Sequence, residues 1–88
     1  MPKIYDIGKG FAVARHRIHN LKYSEEGRIA VVRGEILVGS PSFVLYASTF
    51  KGWEPPNDQQ ALSSEHRKEI LSRIEAALNV WGVDYVID

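Results

Sequence analysis

Cysteine is absent from the 88 residues, which excludes a disulfide framework, a thiolate nucleophile and any cysteine-ligated metal. No apolar run approaches the ~18–20 residues needed to span a bilayer. The opening MPKIYDIGKG is broken by charges and glycines and has no stretch resembling a signal peptide. The expectation is a cytoplasmic protein without membrane contact. Net charge is missing as well, since eleven Lys and Arg balance eleven Asp and Glu. The resulting pI of 6.8 lies well below the usual footprint of a nucleic-acid binder. Internal repeats and low-complexity segments are absent, which sets solenoids aside.

What is present is an ordinary folding composition. A chain that is 44% hydrophobic and 25% charged stands apart from the disordered class. Its length fits one domain over residues 1–88, domains running typically to about 100–150 residues. Such a chain buries roughly 60–65% of the surface its unfolded form exposes. That is enough for one core, with little room for an enclosed substrate cavity besides, so a binding module is favoured over a self-contained enzyme. The charges are uneven along the chain. Residues 1–33 hold seven bases against three acids, and residues 34–88 hold four bases against eight acids. A fold that kept these halves apart would be bipolar.

Local pattern predicts the elements. KIYDI (residues 3–7) reads as a short strand and GKG (residues 8–10) as a turn. FAVARHRI (residues 11–18) reads as a strand, and LKYSEEGR (residues 21–28) as a hairpin connection closed by Gly27. RIAVVRGEILV (residues 28–38) is a long apolar strand with a bulge or bend at Gly34. FVLYAS (residues 43–48) has the continuous apolarity of an interior strand. Ser63 is a good N-cap, with Glu65 in the first turn behind it. Ile70, Leu71, Ile74, Ala77, Leu78 and Trp81 then form one helical stripe. Lys68, Arg73, Glu75 and Asn79 lie opposite, and Gly82 suits a left-handed C-terminal position. VDYVID (residues 83–88) supplies a last strand beside the helix. The implied fold is α+β: a mostly antiparallel sheet with one C-terminal amphipathic helix on one face, in the order β-β-β-β-α-β.

Between sheet and helix lies FKGWEPPNDQQ (residues 50–60). Glu54 and Pro55 each precede a proline and are pushed toward extended geometry, and the prolines donate no N–H. The result is a stiffened loop over residues 50–62, a length that is often functional in small domains. Trp53 has two readings. It can cover the sheet edge as a packing residue, or it can anchor a partner, and the binding surface expected here takes it as the anchor. A stiff loop would in either case present Lys51, Glu54 and Asp58 at low entropic cost.

The stretch from Phe43 to Pro56, FVLYASTFKGWEPP, followed by LSSEHRKEILSRIEAAL, resembles the immunity protein 74 family of bacterial polymorphic-toxin systems. The matching positions are Tyr46, Ala47, Trp53, Glu54, Pro55, Pro56, Ile70 and Leu71, and GEILV (residues 34–38) fits the preceding strand. Ser48 departs from the pattern, which has an acid there. The resemblance implies a small α+β protein that neutralises a cognate toxin protein by binding it, without catalysis.

Other chemistry is poorly supplied. His16 and His19 would point to opposite faces of a strand, and His66 has no acid at a ligand-like spacing, so no metal site is expected. No serine sits in a nucleophile-elbow pattern, and the adjacent Glu25 and Glu26 suit solvation in a turn rather than acid–base work. No cofactor is expected. The rival reading is a small nucleic-acid-binding domain that uses the basic strand from Ala14 to Lys22, with Arg15 and Arg17 along one side. Those two arginines are also a second candidate surface for an acidic toxin. An exposed edge strand could support a homodimer, though nothing in the sequence requires one.

Overall fold

The computed structural model describes residues 3–88. Phe11 and Val13, Leu21 and Tyr23, and Ala30 and Val32 are buried as alternating pairs on three successive strands. This period of two places every second side chain against the core. The strands are β1 (Ile4–Tyr5), β2 (Phe11–His16), β3 (Asn20–Glu25) and β4 (Arg28–Val32), paired in that order as an antiparallel meander. Val13 sits opposite Tyr23, and Tyr23 opposite Ala30, so one row of core side chains crosses the sheet.

The segment expected to be a hairpin connection is largely β3 itself. Only Glu26 and Gly27 turn the chain, at φ of 52° and 77°. Two residues with positive φ match the right-handed twist of the flanking strands. The long strand expected over residues 28–38 is also divided. It leaves the first sheet after Val32 and re-forms as β5 (Gly34–Ile36) in a second sheet with β6 (Phe43–Leu45) and β7 (Tyr85–Ile87). Gly34 permits the crossing. A Cβ there would collide with Phe43 Cζ at the ring edge and lie 2.9 Å from the Val44 carbonyl oxygen.

β6 is the middle strand of this second sheet, antiparallel to β5 and parallel to β7. Phe43, Val44 and Leu45 are all buried, as the continuous apolar run predicts. The last strand pairs with β6 rather than merely lying beside the helix. Six strands therefore precede the helix instead of four, but the α+β class, the antiparallel majority and the single C-terminal helix stand as read from the sequence.

Helix α1 (Ser64–Val80) begins where Ser63 Oγ accepts from the His66 N–H at 3.0 Å. It ends at Gly82, whose φ is 71°. Ile70, Ile74, Ala77 and Leu78 face the core, with Leu71 and Trp81 half-buried against it. Burying each large apolar side chain contributes about 1.5–3 kcal/mol, so this stripe holds the helix on the sheets. No helix among the described residues is long and apolar enough to cross a membrane.

Replacing Gly34 by alanine should cost about 1–3 kcal/mol through overpacking against Phe43. Urea unfolding of G34A would show this as a lowered midpoint with an unchanged slope.

Candidate functional site

Trp53 does not project. Its residue is 4% exposed and its ring belongs to the core. The indole lies 6.3 Å from the Tyr23 ring and meets His66 edge-on at 5.7 Å. The Arg28 guanidinium covers it at 4.3 Å. The indole Nε1 is buried without an acceptor among the described residues, so packing rather than hydrogen bonding holds the side chain. The expectation of Trp53 as an exposed anchor is thereby corrected. A large flat ring is more stable in a slot already walled by Tyr23, His66 and Arg28 than in water.

What the buried ring does is pin the loop that follows it. The Glu54 N–H donates to the Ile29 carbonyl at 2.6 Å, tying the loop to the outer edge of β4. Asn57 N–H then donates to Glu54 O and Gln60 N–H to Asn57 O, each at 3.0 Å. Arg28 Nη1 reaches Gln60 Oε1 at 3.1 Å and closes the other end. Glu54, Pro55, Pro56 and Asp58 are exposed along this braced segment.

A second arrangement was hidden in the sequence. Glu25 is not a solvated turn residue, since its Oε1 accepts from Tyr23 OH at 2.6 Å and stands 3.0 Å from His66 Nε2. Arg73 Nη1 donates to Tyr23 OH at 2.7 Å and lies 3.6 Å from Glu25 Oε1, while Arg28 Nη2 is 3.7 Å from Oε2. Burial works to raise the Glu25 pKa, but hydrogen bonds from Tyr23 and His66 and the charges of His66 and Arg73 outweigh it and hold the carboxyl below its ordinary value. Burial, with the hydrogen bond to Glu25, pushes the Tyr23 phenol up to about 12. A general base needs an available lone pair and a pKa near the working pH. Glu25 is engaged on both oxygens and shifted the wrong way, so the cluster is a clasp between the β3–β4 turn and α1. No group of three potential ligands for a metal ion occurs among the described residues.

The remaining candidate residues fall in two places. Lys51 and Glu54 share the wall of a cleft of about 400 Å³ with His16, Val31, Arg33 and Trp53, and Asp58 lies on the exposed turn beyond. Arg15 and Arg17 do not share a strand face. β2 stops at His16, and Arg17 stands in the following turn at φ 61°. Arg15 Nη2 donates to the Ile18 carbonyl at 2.7 Å and lines a different cavity. Its neighbour Lys22 is paired opposite Ala14, on the face away from α1. The basic segment is thus split among two faces and a tip, which removes the single phosphate-facing stripe that the nucleic-acid reading required.

The profile of the family described as Immunity protein 74 matches residues 17–88. The chain belongs to the immunity protein 74 family. No curated protein and no solved structure matches it. The match runs from the β2–β3 turn through β7, and so includes the braced loop, every member of the Glu25 clasp and the cleft lining apart from His16. Sequence reading missed that clasp because Glu25 meets residues 41 and more positions away on α1. The available signals were Tyr23 and Glu25 two apart on one face of a strand, and His66 and Arg73 two turns apart on one face of the helix.

For this immunity protein, Trp53→Ala should cost about 3–5 kcal/mol in folding stability, as large aromatic deletions in cores do. Chemical denaturation would check it, and a change near zero would return the indole to the surface. The Glu25 shift gives a pH dependence of definite sign. A carboxyl with a lowered folded-state pKa stabilises above its unfolded value, and that contribution disappears as pH falls through the folded value. Glu25→Gln should therefore lower Tm at neutral pH, with the gap to the parent closing below pH 4.5. A gap that stays constant across the acid range would show the charge to be idle.

Proposed function

We propose that the protein neutralises a toxin protein by binding its toxic domain non-catalytically and covering the active site or substrate groove. Membership of the immunity protein 74 family carries this reading. The geometry supports a particular contact surface, the braced loop and its cleft. Ordering of flexible segments is a main cost of association, and a loop already fixed by a buried ring and a bond to β4 avoids much of it. Lys51, Glu54 and Asp58 are exposed on that segment with opposite charges close together, an arrangement that fixes register and on-rate more than raw affinity. Trp53 acts here by holding its neighbours, not by touching the partner.

An immunity role predicts a toxin gene directly upstream of this one, and the test uses the toxic domain that such a gene encodes. Co-expression should rescue cells, and the two purified proteins should form a complex. Reversing both loop charges, Lys51→Glu with Glu54→Lys, should weaken binding at least tenfold, about 1.4 kcal/mol, with Tm unchanged. Failure of the unaltered protein to bind would overturn the neutralising role. Full affinity in the double variant would overturn only the assigned surface.

A further inference from the structure

A second cavity, of about 180 Å³, opens between the β2–β3 end of the first sheet, β5–β6 and the C-terminal turn of α1. Its depth is apolar: Leu21, Phe43 and Leu78 line it and are each buried in the core. Its rim carries Lys3 and Arg15, and no carboxylate belongs to the lining. Both cations are held in place, Lys3 Nζ by the Trp81 carbonyl at 3.4 Å and Arg15 by the Ile18 carbonyl. Neither is in an ion pair among the described residues, in contrast to Arg28 and Arg73.

Size and charge together select an occupant. Pockets for whole small-molecule ligands usually measure about 300–1,000 Å³, so this one is too small for a typical cofactor. An apolar cavity of about 150 Å³ accepts a single benzene ring. Apolar depth with two cations at the mouth therefore fits one large side chain whose near neighbour is anionic. We infer that this cavity receives a bulky apolar side chain flanked by a carboxylate, presented by the partner protein. The inference rests on the neutralising role and names a feature of the partner. A pocket of this kind concentrates binding energy, because a single filled and desolvated site outweighs many rim contacts. The bound carboxylate would meet Arg15 in a planar, two-point geometry that lysine cannot reproduce.

The experiment has two arms. In the first, 2-naphthoate is titrated into the protein and followed by amide and indole NMR shifts. Saturable shifts centred on Leu21, Ile36, Val83 and the Trp81 indole are expected. They should weaken at least fivefold in Arg15→Glu and for the uncharged probe 2-naphthalenemethanol. Shifts centred elsewhere, or equal binding of both probes, overturn the site. In the second arm, the upstream-encoded toxic domain is bound to Arg15→Glu and to Ile36→Glu. Ile36 lines the cavity but is 44% exposed, so its replacement spares the core. At least a tenfold loss of affinity in both, with Tm preserved, supports the inference. Undiminished binding by both variants overturns it and leaves neutralisation standing. Absence of binding by the unaltered protein overturns both together.

Discussion

A row of rings under two arginines is the arrangement on which the rest depends. Phe11 stacks on Tyr23 at 5.9 Å, Tyr23 on Trp53 at 6.3 Å, and Trp53 meets His66. Arg73 covers Phe11 at 4.2 Å and Arg28 covers Trp53 at 4.3 Å. Each arginine sits over a ring while turning a nitrogen toward Glu25 or Tyr23. Guanidinium groups suit this position because they are planar and weakly hydrated, so they can close an aromatic layer without demanding full solvation. One carboxylate then sets the positions of both. The sheet, the loop and the helix meet at this layer.

Mechanical roles divide accordingly. The ring layer is inward-looking and the polar groups of its charged clasp are engaged with one another, which is why they offer little to catalysis. The loop edge and the cavity near Trp81 are outward-looking, with charges that form no ion pair among the described residues. Such a division suits a small domain, since a typical domain stability of about 5–15 kcal/mol leaves few interactions to spare. The residues that keep the shape and those that meet another molecule must be largely different ones.

Much of the fold was legible because it is local. The Ser63 cap, the apolar stripe from Ile70 to Trp81 and the left-handed Gly82 all follow from side-chain chemistry within a few residues. The buried strand Phe43–Leu45 announced itself by composition. The division into two sheets did not, because Arg28 to Val38 keeps its apolar pattern straight through the crossing and only Gly34 marks it. Trp53 was ambiguous for a similar reason: a tryptophan beside prolines is written identically whether it faces out or in. The choice was made by Tyr23, Arg28 and His66, none of them its sequence neighbours. Glu25 shows the same limit, its adjacency to Glu26 being uninformative about the arginine that arrives from the helix.

The parallel pairing of β6 with β7 has a consequence for how the chain assembles. Antiparallel β1 to β4 can zip up progressively through short turns, but Phe43 must wait for Tyr85. The strand that completes the second sheet lies beyond the helix, so it can join only after α1 has been laid across the core and brought its far end round. On a ribosome, the meander and β5–β6 would emerge first, with one side of β6 lacking its neighbour. Until synthesis passes residue 87 that strand has a vacant row of backbone groups, and the nascent protein offers an open edge at a segment that is later buried between two neighbours.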